Sequence, residues 1–430
     1  MKLRRRRPSR LLAQLRAPAR ARPDYSGGNA VSLLKGGDQL FPAMTAAMRA
    51  ARNEIWLGTY ILYHDMSGNS LVDELLAASR RGVRVHVVVD GYGSMASLDW
   101  LRQRLGGSAV ALEVFRPIDR WWRWLQPGQL RRLHQKICVV DSTQAFVGGI
   151  NIIDDRRDLH HGLTDTPRLD FAISATGPLV KPIEQAVRAV WTRAHLGSDL
   201  REELSTLAHS PSPLSRLRLL ARSLNLVRRT DYGDSVAHLP PMRAAFVLRD
   251  NLRRRRTIER AYVEAIQRAR ERVDLITPYF YPGTRFRKAL CQAARRGVRV
   301  RLLLQGKVDY RIAGMAAHAL YAELLGRGVH VFEYTPAYLH AKIAVVDQDW
   351  ATVGSSNIDP LSLLLNLEAN VIVRDPVFTA QLESEFEAAI AVSRQVQADT
   401  SSGLRAMLRR AVVAWGAYVY LRVAGATGRY

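Results

Sequence analysis

The sequence predicts an α/β protein built from two copies of one unit, paired about a pseudo-twofold axis. Two observations carry this. The hexapeptide Arg80-Arg81-Gly82-Val83-Arg84-Val85 recurs letter for letter as Arg295-Arg296-Gly297-Val298-Arg299-Val300. A second pattern recurs at offsets of 0, 2, 7, 14 and 17: His134, Lys136, Asp141, Gly148, Asn151, then His340, Lys342, Asp347, Gly354, Asn357. At about 5% per residue type, five fixed positions arise by chance on the order of once in ten thousand chains, so two copies mean duplication.

Each element of the unit has a local reason. Leu71, Leu75 and Leu76 in one copy, and Phe286 with Leu290 in the other, give a helical pattern that the shared glycine stops. The runs Val87-Val88-Val89 and Leu302-Leu303-Leu304 that follow read as buried strands. Upstream, 55–62 and 273–280 are matching strand candidates, each preceded by an Ala/Arg helix. Downstream, Ile137 to Val140 and Ile343 to Val346 are strands, with partners around Phe146-Val147 and Thr352-Val353. Two-residue turns at Ser142-Thr143 and Gln348-Asp349 would pair residue i with 285−i and with 697−i. That register sets His134 across from Asn151 and Lys136 from Gly149, and His340 across from Asn357 and Lys342 from Ser355.

Composition bounds the rest. In 430 residues, 47% hydrophobic and 24% charged content fits a globular chain with a full core. No run approaches the ~18 apolar residues of a spanning helix, so a polytopic membrane protein is excluded. Two cysteines, Cys138 and Cys291, make no disulfide scaffold and read as small core hydrophobes. The net charge of +24 favours a polyanionic partner. Residues 1–22 carry nine cations and the stretch after Asp399 five, neither with an acid, so the tails hold 14 of those charges. Arg and Pro interrupt every apolar stretch behind the cationic start, so no signal peptide is expected and the cytosolic side is.

The organisation expected is a basic tail over 1–27, a first domain over 28–196, a basic connector over 197–242, a second domain over 243–395, and a basic amphipathic segment over 396–430. Leu214 to Arg229 alternates Leu and Arg at helical spacing and reads as a surface helix in the connector. Trp121, Trp122 and Trp124, interleaved with Arg120 and Arg123, suit a lipid-entry rim, with a packed loop as the plain alternative. His160 and His161 read as a solvated loop. Leu404 to Arg422 reads as an interfacial helix, against ordinary domain packing.

A neutral imidazole is a nucleophile or a base, while a lysine and an amide donate to a phosphoryl group. Only seven of 63 cations are lysine, yet both His-x-Lys positions use it, roughly 1 in 80 by chance. A compact ammonium is evidently wanted there. Two such patches face to face place a histidine on each side of one phosphodiester. Asp141 and Asp347 belong to the repeated catalytic pattern, but their strand parity points them away, as braces of the hairpin. No cluster has metal-ligand spacing, so neither metal nor cofactor is expected.

The duplicated pattern, with GGIN at 148–151 and GSSN at 354–357, resembles the phospholipase D superfamily. DGYGS (90–94), RRLHQKICVVD (131–141), LDFAISATGP (169–178), TPYFYPG (277–283) and GSSNIDPLSLLLNLEANVIV (354–373) resemble bacterial cardiolipin synthases of the short type without an N-terminal transmembrane pair. The resemblance covers about 28–390. It implies two α-β-α sandwich domains sharing one active site, and a phosphatidyl transfer between two phosphatidylglycerols through a phosphohistidine. It implies His134 as nucleophile, His340 as acid and base, and Lys136, Lys342, Asn151, Asn357 and Ser355 around the phosphate. It further implies that Asp170 and Glu368 orient the histidines that precede them by 36 and 28 residues. Gly149 departs from the serine many members carry. The expected partner is an anionic phospholipid surface, peripherally bound on the cytoplasmic face of the inner membrane; no nucleic acid is expected, and oligomeric state stays open. The competing classes are a lipid hydrolase or nuclease of the same fold, and a non-catalytic membrane tether.

Overall fold

The structure, a computed structural model, describes residues 23–118, 131–159, 162–207, 242–249, 256–307, 320–359 and 366–397. The first half runs β1 (Ser26–Lys35), α1 (Gly36–Ala50), β2 (Glu54–Thr59), α2 (Met66–Arg80), β3 (Arg84–Asp90), α3 (Leu98–Leu105), β4 (Ala111–Phe115), β5 (Lys136–Val140), β6 (Gln144–Gly148), the short pair β7 (Arg157–Asp158) and β8 (Gly162–Leu163), β9 (Phe171–Thr176) and α4 (Val180–Leu207). The second runs β10 (Met242–Arg249), α5 (Thr257–Arg268), β11 (Arg272–Ile276), α6 (Thr284–Arg295), β12 (Arg299–Gln305), β13 (His330–Tyr334), β14 (Ile343–Val346), β15 (Trp350–Gly354), β16 (Glu368–Arg374), α7 (Pro376–Ala391) and β17 (Arg394–Gln395).

All strands but β7 and β8 form one sheet in the order β17-β13-β12-β11-β14-β15-β16-β10-β1-β9-β6-β5-β2-β3-β4. Apart from the added edge strand β17, that order reads as a palindrome about the β10–β1 seam. There the strands run antiparallel, with Ser26 opposite Ala244. β2, β3 and β4 are parallel, as are β11, β12 and β13; the other pairings in the sheet are antiparallel. α1, α2 and α3 cover one face of the first half, and α5 and α6 that of the second. The opposite face packs α4 and α7 against a single core running through both halves, from Val31 and Ile173 to Val353 and Phe386. Each half is thus an α-β-α sandwich, and the two share one apolar layer.

The repeated hexapeptide has a structural reason. Gly82 and Gly297 hold φ of 88° and 90° to end α2 and α6, a conformation glycine adopts freely. The arginine before each glycine reaches the preceding helix: Arg81 donates to the Met48 and Arg49 carbonyls, and Arg296 to those of Ile266 and Ala269. One motif therefore stops a helix, caps its neighbour and starts a strand.

Two expectations need correction. The hairpin register is one residue off: Lys136 pairs with Gly148 and Val140 with Gln144, while Ile343 pairs with Val353 and Val346 with Trp350. The turns hold three residues because Asp141, Ser142 and Asp347 adopt left-handed φ of 52°, 57° and 52°, which aspartate tolerates better than most residues. Gly149 and Asn151 consequently lie past the strand end rather than across from Lys136 and His134. The expected connector is also shorter, since α4 continues through Gly197 to Leu207 and β10 already begins at Met242. The tails, Trp121, Trp122, Trp124, His160, His161 and the 214–229 segment lie outside the described residues.

Candidate active site

The site sits where β5 and β14 begin, and chain crossing builds it. His134 precedes β5, and its N–H donates to the Leu367 carbonyl of the second half (3.0 Å), while Leu367 N–H donates to Arg132 (2.8 Å). In mirror fashion His340 N–H donates to Leu169 of the first half (2.9 Å), and Leu169 N–H to Tyr338 (2.9 Å). Each histidine is therefore stapled to the residue just before the other half's acid. As a result the pairs are crossed: His134 Nδ1 meets Glu368 Oε2 at 3.0 Å and His340 Nδ1 meets Asp170 Oδ2 at 2.6 Å. The expectation that each acid serves the histidine preceding it in its own half is corrected. A carboxylate on Nδ1 holds the ring proton there and leaves Nε2 with its lone pair for chemistry. The two ring centroids are 6.5 Å apart.

Lys136 and Lys342 are buried, and each ammonium donates to the carbonyl of the histidine two residues before it, Lys136 at 3.0 Å. Burial lowers both, Lys136 to about 8 and Lys342 to about 7, against the opposing pull of Glu368 and Asp170. Burial also lowers both imidazoles, His340 further, with Lys342, Lys136 and Arg168 adding to the effect. Both histidines are accordingly neutral at pH 7. Burial raises the Asp170 carboxyl, with Lys342 opposing. Asn151 and Asn357 are buried here too, and each keeps an amide oxygen without a hydrogen-bond partner. Such an amide can turn its N–H₂ to a ligand.

Ser355 does not face the phosphate position as expected. It is fully buried, its hydroxyl donates to Glu368 Oε2 at 2.5 Å, and it acts on the carboxylate instead. Gly149 occupies the matching place in the first half, where a Cβ would fall 2.3 Å from Asp170 Oδ1. The shorter acid thus requires the smaller neighbour.

Asp141 and Asp347 are not brought to the histidines. They lie past the far ends of β5 and β14, roughly 23 Å of extended chain from the histidines. Asp141 accepts from the N–H groups of Arg52, Asn53 and Glu54 at 2.7, 2.7 and 2.9 Å, and Asp347 from those of Arg270, Glu271 and Arg272. Each ties a turn to the start of the next strand.

Three residues that sequence reasoning passed over matter here. Tyr60 lies against His134, with ring centroids 5.0 Å apart. Asp90, fully buried, accepts from Leu133 N–H at 2.8 Å. Arg249, also fully buried, stands opposite Glu368 and donates to the Asn366 carbonyl at 2.6 Å. Asp90 was legible as the polar residue closing a buried strand; contacts with residue 367 or 169 leave no mark in the sequence.

The fold and the paired His-x-Lys site define a phospholipase D-like protein. The family model described as cardiolipin synthase, PLD-like domain, matches residues 44–161 and 262–390. Cardiolipin synthase B of Escherichia coli (strain K12) is 36% identical over 378 residues, covering 86% of this chain and 82% of that protein. Cardiolipin synthase B of Salmonella typhimurium (strain LT2) is 37% identical over 363 residues, covering 84% and 81%. The crystal structure of phosphatidylserine synthase from Haemophilus influenzae has the same fold, with a TM-score of 0.63 at 16% identity, over 91% of this chain and 93% of that one. The chain belongs to the cardiolipin synthase, phospholipase D-like family.

Proposed function

We propose that this protein is a cardiolipin synthase, transferring a phosphatidyl group from one phosphatidylglycerol to another and releasing glycerol. The single observation that supports it most is the pair of imidazoles, 6.5 Å apart, each braced on Nδ1 by a buried acid. His134 Nε2 attacks phosphorus, and the P–O bond to glycerol breaks as that oxygen takes a proton from His340. A second phosphatidylglycerol hydroxyl then attacks, its proton returns to His340, and the P–N bond breaks. Burial, and after it the Lys342 and Lys136 charges, disfavours a protonated His340; the bound phosphodiester anion offsets the lysine part and so favours the acid form. Lys136, Lys342, Asn151 and Asn357 hold the phosphate oxygens; Asp170, Glu368 and Ser355 orient; Asp141 and Asp347 brace.

The domain reading is two catalytic halves over about 26–207 and 242–395, with basic tails outside them. Among the described residues no helix is long and apolar enough to cross a membrane. The 14 tail cations supply attraction to an anionic surface, each worth about 1 kcal/mol near it before screening. The reading places the protein peripherally on the cytoplasmic leaflet.

Incubating the purified protein with phosphatidylglycerol vesicles and following products by mass spectrometry tests this. Cardiolipin and glycerol should form, and His134→Ala and His340→Ala should each abolish both. Phosphatidic acid as the sole product would make it a hydrolase, and cleavage of nucleic acid in place of lipid would make it a nuclease.

A further inference from the structure

The pseudo-twofold holds closely around the histidines and fails at one wall. Thr59 and Thr277 donate to carbonyls two residues on, those of Ile61 (3.1 Å) and Tyr279 (3.0 Å). Leu62 and Phe280 bridge to Ile152 and Ile358. These matched contacts make Tyr60 and Pro278 equivalent positions. The position equivalent to Tyr60 is a buried proline, whereas Tyr60 itself is half-buried, its ring tilted by 58° against the His134 imidazole at 5.0 Å between centroids and 5.4 Å from Lys136 Nζ.

The loop after β3 holds that ring. Asp90 Oδ1 accepts from Tyr92 and Gly93 N–H (2.9 and 3.1 Å), and its Oδ2 from Leu133 N–H (2.8 Å), one residue before His134. A Cβ on Gly93 would lie 2.4 Å from the Tyr60 carbonyl and 2.8 Å from its ring, so only glycine lets the loop approach this closely. Ser94 Oγ donates to the Tyr60 carbonyl and accepts from Leu62 N–H, each at 3.0 Å. One buried carboxylate thus fixes both the wall and the backbone entering His134. In the second half Gln305 takes the equivalent Leu339 N–H (2.8 Å). His134 is correspondingly the less exposed histidine, 12% against 20% for its side chain.

Resting on the transferase reading above, we propose that Tyr60 is a specificity-determining residue: its ring covers the imidazole that carries the phosphatidyl group and so favours an alcohol over water in the second step. Both nucleophiles can resolve the intermediate. In each case an O–P bond forms, the P–N bond breaks and the nucleophile's proton goes to His340; an alcohol gives phosphodiester, water gives phosphatidic acid. What separates them is access, and the Tyr60 ring, tilted against the imidazole at 5.0 Å, occupies the space from which water would reach that side.

The test is the ratio of phosphatidic acid to cardiolipin made from phosphatidylglycerol vesicles by the full-length protein and its Tyr60→Phe, Tyr60→Leu and Tyr60→Ala variants. The ratio should stay within about twofold in Tyr60→Phe and rise about tenfold in Tyr60→Ala, the change that about 1.4 kcal/mol of discrimination produces. A merely structural role lowers both products together. If total turnover falls while the ratio holds in Tyr60→Ala, the inference is overturned; if that variant does not fold, an unchanged ratio in Tyr60→Leu overturns it equally. A wild-type protein that makes no cardiolipin overturns the transferase reading and this inference with it, whereas normal cardiolipin synthesis with an unmoved ratio overturns this inference alone.

Discussion

Replacing Glu368 by glutamine should disable His134, the histidine of the other half. The carboxylate is fully buried and 3.0 Å from His134 Nδ1. When Nε2 attacks phosphorus the ring becomes cationic, and charge centres about 4 Å apart at an effective dielectric of about 20 interact by about 4 kcal/mol. A neutral amide acceptor returns about 1 kcal/mol of that. The net loss of about 3 kcal/mol lowers kcat/KM between about a hundred- and a thousandfold. Glu368 also supports the proton on His134, so the variant's imidazole should titrate lower than in the wild type. Cardiolipin formation on vesicles measures the first effect, and nitrogen NMR with labelled histidine, of which the chain has 11, measures the second. The His134 signals should move in Glu368→Gln and those of His340 in Asp170→Asn. A near-normal rate, or a Glu368→Gln change confined to His340, would refute the crossed pairing.

Burial lowers Lys136 to about 8 and Lys342 to about 7, so kcat/KM should fall as pH rises through that range and the phosphate grip loses charge; bound phosphate restores the ammonium, so the kcat limb should lie higher, and Lys342→Arg, which removes the group that titrates first, should shift the kcat/KM limb upward. Gly149→Ser should cost about a hundredfold in rate by displacing Asp170, and adding Asp170→Glu should recover part of it by importing the second half's pairing, as initial rates would reveal. Asp141→Ala should destabilise by about 1–3 kcal/mol in denaturant melts without moving KM. Partial burial tends to raise that carboxyl, but the N–H groups of Glu54, Arg52 and Asn53 hold it below the ordinary 3.8, so its contribution is complete above that pH and the difference between wild type and variant should shrink as pH falls below it. Deleting 1–22 with 403–430 should release the protein from anionic vesicles in a co-sedimentation assay, whereas unchanged binding at moderate salt would remove the tails as anchor.

Much of this molecule was legible because duplication repeats its local reasons. Helix stops, buried strands and the His-x-Lys-to-Asn spacing are each written within some twenty residues, and both copies say the same thing. The register slipped by one because a left-handed aspartate and an inserted turn residue leave no periodic trace, while Asp141 answers to N–H groups nearly ninety positions earlier. The crossed acids were illegible for a related reason. Spacing along the chain ranks Asp170 with His134, but the short bridges Leu133–Leu367 and Leu169–Leu339 exchange the partners. Ser355 reads as a phosphate donor by type, and only its burial against Glu368 reassigns it.

Where the two halves differ at the site, they differ in what touches a histidine or its supports. Glu368 with Ser355 stands against Asp170 with Gly149, Tyr60 against Pro278, and Asp90 against Gln305. Other contacts of the scaffold repeat, such as the arginine that caps the neighbouring helix. A site in which both imidazoles did the same work would gain nothing from those differences. An ordered double displacement needs them unequal, one ring carrying the covalent bond under cover and the other exchanging a proton in the open. The longer acid with its serine, the aromatic wall and the charged backbone anchor all converge on His134, which is the more covered ring. The more exposed His340 keeps the short acid, and burial, then Lys342, Lys136 and Arg168, hold its imidazole further below the ordinary value. This inequality of the two rings is consistent with the roles proposed above, His134 as nucleophile and His340 as proton carrier.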